Sequence, residues 1–150
     1  MRPEMKEAMT LKELPFAVGV FQGYGAWADR QGGQGAYQVE LTTLTEAGGV
    51  ITHVITRVFL SSEGAVLQQE NSRVHFIPSA DPFFEVAVRF EGKEYRGEGY
   101  CFGNRCHYVV ALNGDSHLEG TYTLNGDGVQ LLGSSIRNGN LTVWAEALIP

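Results

Sequence analysis

Apolar and polar residues alternate with a period of two through most of the chain after Pro15, and turn chemistry interrupts the alternation about every eight to twelve residues. That period belongs to extended strands, whose successive side chains point to opposite faces of a sheet. The expected strands run over residues 16–28, 36–45, 50–60, 65–70, 73–77, 83–90, 94–102, 105–112, 117–124, 129–136 and 141–149, about ten in all. Asn71-Ser72 joins the two short ones. The breaks are rich in Gly, Asn, Asp and Pro: DRQGGQG, EAGG, PSADP, GN, GDS, NGDG and RNGN. Nearly all are too short for a crossover helix, so consecutive strands pair antiparallel.

An up-and-down meander of this length either folds over as a sandwich or closes into a barrel. Closure removes the edge strands. Glycine supplies 19 of the 150 residues, nearly twice the usual share of about 7%, and glycine within strands suits the sharp bends of a small barrel. The expected fold is therefore all-β: an antiparallel meander closed into a β-barrel of about 8–10 strands. The barrel occupies residues 16–150, and residues 1–15 form a short N-terminal arm or helix stopped by Pro15.

The short turns fix the register. A two-residue turn at Gly103-Asn104 pairs Cys101 with Cys106 and puts Tyr95, Gly97, Gly99, Tyr108 and Val110 on one face. A three-residue turn at Gly114–Ser116 keeps Leu118, Gly120 and Tyr122 on that face, with Tyr108 opposite Tyr122. The next turns set Gly133 opposite Gly120, Leu131 opposite Tyr122 and Trp144 opposite Gly133. This inner face interleaves Tyr95, Tyr108 and Tyr122 with glycines. Either the glycines leave room for a cavity with phenols around it, or the tyrosines and Trp144 fill the space. The same alternation points Glu146 inward, where a carboxylate needs a partner or water; a one-residue bulge would turn it out.

Residues 50–60 are ambiguous. Val50, Thr52, Val54, Thr56, Val58 and Leu60 share one face; Ile51, His53, Ile55, Arg57 and Phe59 share the other. The conservative assignment buries the Val/Thr face and leaves His53 and Arg57 in solvent. The opposite one makes His53 and Arg57 polar anchors of a pocket suited to an acid or other anion.

Several chemistries are disfavoured. The net charge is -6 and the Lys and Arg residues are scattered, so no basic surface exists to offset phosphate, and nucleic acid is not an expected partner. No apolar run reaches the length of a membrane-spanning helix and no secretion signal is evident, which makes the cytoplasm the expected location. Cys101, Cys106 and His107 do not converge as zinc ligands, because His107 faces away from Cys106. No metal site is expected, and the residues identify no cofactor. The two cysteines are close enough across the turn for a disulfide, but in a reducing compartment they are expected as buried thiols. Oligomeric state is not legible.

Gly25-Ala26-Trp27 matches the short GxW pattern near the start of lipocalins, and with the meander the chain resembles the calycin superfamily over most of residues 16–150. The resemblance implies that Gly25 and Trp27 sit at a barrel end, and that a small hydrophobic or amphipathic molecule binds inside. Cytoplasmic calycins include fatty-acid carriers, haem-binding nitrobindin-like proteins and bilin-attaching lyases. Two departures stand out. The late arginine that packs over the Trp has only Arg137 as its counterpart, in a turn, and Phe16–Phe21 already looks extended before the motif. The leading functional expectation is noncatalytic ligand binding, with Tyr95, Tyr108, Tyr122, Trp144, Glu146, His53 and Arg57 as the ligand-binding candidates. A lipid is favoured over haem. The alternatives are an enzyme using Glu146 or His53 as acid or base, and a structural or oligomeric protein with a packed interior.

Overall fold

A computed structural model describes residues 16–90 and 92–150; the expected N-terminal arm or helix lies outside the described residues. Ten antiparallel strands follow in chain order: β1 Gly19–Asp29, β2 Gln34–Thr45, β3 Ile51–Leu60, β4 Val66–Pro78 and β5 Phe83–Phe90, then β6 Lys93–Phe102, β7 Arg105–Ala111, β8 His117–Asn125, β9 Gly128–Arg137 and β10 Asn140–Ile149. Each strand pairs with its neighbours in sequence, and β1 also pairs with β10 from Gln22↔Ile149 to Asp29↔Thr142. The ring of hydrogen bonds therefore closes, and the fold is the expected all-β barrel. Among the described residues a 3-10 turn, Ala47–Gly49, interrupts the β pattern between β2 and β3.

One expected pair of elements is a single strand. Residues 65–70 and 73–77 run together as β4, because Asn71 and Ser72 stay in the ladder opposite Thr56 and Ile55. The Thr56 hydroxyl donates to Asn71 Oδ1 at 3.0 Å, so Asn71 serves the sheet rather than a turn. A second correction concerns β7 and β8. Cys106 faces Tyr122 and Tyr108 faces Gly120, two residues away from the expected register. The three-residue turn is Asn113–Asp115: the Leu112 N–H donates to the Ser116 carbonyl at 2.9 Å, and Gly114 takes the left-handed conformation at φ 65°. A shift of two preserves which face points inward.

The remaining turns place the strands as expected. Cys101 faces Cys106, Gly120 faces Gly133, Tyr122 faces Leu131, Gly133 faces Trp144 and Leu131 faces Glu146. Asn138 and Gly139 both have positive φ, 53° and 79°, the backbone of the two-residue turn that matches strand twist. Where the sequence suggested thiols for a reducing compartment, the structure joins Cys101 and Cys106 as a disulfide across the second pair from the β6–β7 turn.

The two ends of the barrel differ. At the end bounded by the β2–β3, β4–β5, β6–β7 and β8–β9 connections, Phe16, Phe21, Leu41, Phe76, Phe84, Val129 and Leu148 are buried to 2% exposure or less. Phe16 stacks on the His53 ring and meets Phe76 edge-on. Each such side chain removed from water contributes about 1.5–3 kcal/mol, and together they form a packed floor. The opposite end carries Trp27, Phe59, Phe90, Tyr95, Leu112 and Leu118, all only partly buried against that core.

Candidate functional site

Between the floor and the opposite end lies an interior cavity of about 300 Å³. Its apolar walls include Ile55, Phe59, Val74, Val88 and Phe90. Trp27 and Trp144, paired across the β1–β10 seam, stand at its mouth. Polar groups converge on it from several strands: Arg57, Glu70, Ser72, Tyr95, Tyr108, Tyr122, Ser135, Arg137 and Thr142. A broader depression of about 1060 Å³ lies against mainly outward-facing residues such as Ala26, Ala36, Leu132 and Val143. It lacks the convergent charged and phenolic groups that mark the interior one as the candidate site.

Strand β3 determines much of this chemistry, and the conservative assignment of its faces is wrong. Ile51, His53 and Ile55 are buried, and Arg57 lines the cavity, so the His/Arg face is the inner one. The physical reason lies across the barrel on β10. Glu146 points inward as its alternation requires, without a bulge, and Arg57 Nε donates to Glu146 Oε2 at 2.7 Å. Tyr37, on β2, donates its hydroxyl to the same oxygen at 2.7 Å. The Glu146 side chain is 1% exposed and that of Arg57 15%. Glu146 Oε1 has no hydrogen-bond partner among the described residues. Arg57 Nη1 also lies 3.9 Å from Glu70 Oε1, nearer the mouth.

This cluster sets the protonation of its neighbours. Burial, reinforced by Glu146, raises the Tyr37 phenol well above its ordinary value. Burial pushes Tyr108 up to about 12, partly opposed by Arg57. Tyr122 is raised by burial and then by Tyr108 and Glu146. Burial works against the Arg57 charge, but Glu146 outweighs it and holds the guanidinium above its usual value. The phenols are therefore neutral and the guanidinium charged throughout the neutral pH range.

The expected site residues divide into two groups. Tyr95, Tyr108, Tyr122, Trp144 and Arg57 line the cavity; His53 and Glu146 do not. His53 belongs to the floor, fully buried, with Nδ1 3.2 Å from the Tyr122 hydroxyl. Glu146 stands behind Arg57 and fixes its orientation. Tyr37 and Glu70 escaped sequence reasoning. Inward alternation of Tyr37, Val39 and Leu41 would have found the first; nothing local marks Glu70, whose strand was read as broken. Trp27 sits at the open end, while Gly25 lies where a Cβ would overlap the Tyr37 ring. Arg137 packs over Phe90, 5.6 Å from the ring centre, rather than over Trp27.

The glycines of the inner face are explained by the same contacts. A Cβ at Gly120 would run into the Tyr108 ring, and one at Gly133 into the Trp144 indole. Gly120 and Gly133 each make way for an aromatic on an adjacent strand, whereas a Cβ at Gly97 would meet the Val109–Val110 backbone. Both expectations for this face hold in part, because the rings fill much of the space and a cavity still remains.

No protein-family profile matches the chain, and no curated protein matches it. Solved structures do. One is an S-type phycobiliprotein lyase, CPES, from Guillardia theta: TM-score 0.76 at 10% identity, over 99% of this chain and 97% of that one. Another is Rv2717c from M. tuberculosis: TM-score 0.69 at 14% identity, over 99% and 98%. What they share with this chain is the fold, here a closed barrel of ten antiparallel strands.

Proposed function

We propose that this barrel is a noncatalytic binder of a small amphipathic molecule, held in the interior cavity. The observation that carries the reading is a cavity of about 300 Å³ in which a fixed guanidinium and buried phenols face apolar walls. Displaced water and apolar contact supply affinity, and the polar groups orient one end of the ligand. The volume equals that of about ten water molecules at roughly 30 Å³ each, which suits a medium-length chain or a single fused ring system. A haem or an open-chain tetrapyrrole would project from the mouth. The lyase likeness concerns the barrel and carries no bilin to this chain. An enzyme using Glu146 or His53 finds no support, since neither lines the cavity.

The two tryptophans of the chain, Trp27 and Trp144, both border the cavity, so occupancy changes intrinsic fluorescence directly. Titration with medium-chain amphipaths should give a saturable change, and native mass spectrometry should show one ligand per chain. No response across fatty acids, ketones, retinoids and haem would overturn the reading.

The cytoplasm is the compartment we propose. Among the described residues no helix is long and apolar enough to cross a membrane. In a reducing cytoplasm Cys101 and Cys106 should be recovered as thiols when cells are quenched with an alkylating agent before lysis. Recovery of the pair chiefly as the disulfide would instead indicate an oxidising compartment.

A further inference from the structure

We infer that the cavity selects an uncharged ligand whose polar end is a carbonyl oxygen, and discriminates against a carboxylate of the same chain length. The inference rests on the ligand-binding reading and narrows it. Arg57 brings a buried cation to the cavity wall, and an arginine facing an apolar pocket would ordinarily suggest an acid. Here its charge is already answered. Glu146 takes Nε at 2.7 Å from behind, and Glu70 lies 3.9 Å from Nη1 on the mouth side. Both carboxylates face the guanidinium, and among the described cavity-lining residues only Arg137, exposed against Phe90, adds a second cation. A carboxylate entering this space would be a third anion around one arginine, in a site shielded from water.

What the cavity does offer is hydrogen-bond donors. The Arg57 guanidinium has N–H groups beyond Nε and no capacity to accept. Tyr37 spends its hydroxyl on Glu146 and Tyr122 lies against His53, whereas Tyr95 and Tyr108 bring two further phenols to the wall. A carbonyl oxygen has two lone pairs and no proton, so it complements an arginine edge and a phenol at once. It carries no charge to be repelled by Glu70 and Glu146.

The test compares 2-decanone with decanoate at neutral pH by tryptophan fluorescence, in the unmodified chain and in Glu70→Gln. The ketone should bind at least about tenfold more tightly, a preference of one decade in Kd. Removing the Glu70 charge should narrow that preference at least about threefold, by leaving Arg57 less fully neutralised. Equal or tighter binding of decanoate would overturn the inference while leaving the binding reading intact. So would a preference that Glu70→Gln does not move. Binding of retinoids or other ligands with no response to the ketone would also overturn it, whereas silence across every probe would sink the binding reading itself.

Discussion

At the residue scale, the cluster of Tyr37, Arg57 and Glu146 carries most of the risk in this fold. Losing either charged member leaves the other buried without its closest counter-charge, so Glu146→Ala should cost about 3–5 kcal/mol in urea unfolding. Replacing the whole cluster, with Tyr37→Phe, Arg57→Met and Glu146→Leu together, should recover most of that loss. It removes the orphaned charge and the orphaned hydroxyl along with the carboxylate. The raised phenols give a pH signature. Tyr37, Tyr108 and Tyr122 hold their protons more tightly in the fold than in the unfolded chain, where tyrosine titrates near 10. Their contribution is complete below about pH 10 and declines as pH rises toward about 12. Urea midpoints should be insensitive to these groups near neutrality and fall steeply above pH 10, with phenolate absorbance from these residues appearing only as the protein unfolds. Alternation alone showed Glu146, Tyr108 and Tyr122 pointing inward. It did not decide the faces of residues 50–60, because both faces are apolar enough to be buried. The deciding partner, Glu146, lies 89 positions from Arg57.

At the scale of strands, glycine and aromatic positions are matched across neighbours. Gly133→Ala should push the Trp144 indole toward the cavity, cost about 1–3 kcal/mol as an overpacked site, and shift tryptophan emission. Gly120→Ala should do the same to Tyr108 with little change in emission. A cavity that shrinks in both variants predicts weaker ligand binding in both, measured by the same titration. Turn chemistry made nearly every pairing legible: NGDG and RNGN set β8, β9 and β10 correctly. The failure at Asn113–Asp115 came from one choice, which of three consecutive residues begins the turn. The left-handed Gly114 had to sit at the centre of that turn. Asn71-Ser72 failed for the opposite reason: residues common in turns are tolerated in a strand when a cross-strand partner, here Thr56, satisfies them.

At the scale of the whole molecule, closure was legible because a meander of short turns has few other ways to cover its edges. The size of the cavity was not, because it depends on how far the rings of Trp144 and Tyr108 reach over glycines on adjacent strands. The Cys101–Cys106 bridge spans a sequence separation of only 5, so it restricts the unfolded chain little. Its removal should cost at most about 2 kcal/mol by the loop-closure relation, and the reduced protein should still unfold cooperatively, as melting with and without reductant will show. The β1–β10 seam matters more, since it joins residues near opposite ends of the chain.

The floor built on Phe16, His53 and Phe76 makes the barrel a cup rather than a tube. A tube lets cargo pass through, entering at one end while product or carrier waits at the other. Among the described residues this cup has a single doorway, so whatever enters past Trp27 and Trp144 must reverse its path to leave. Residence time is then governed at the rim, and any acceptor must approach the same face that the ligand used to enter.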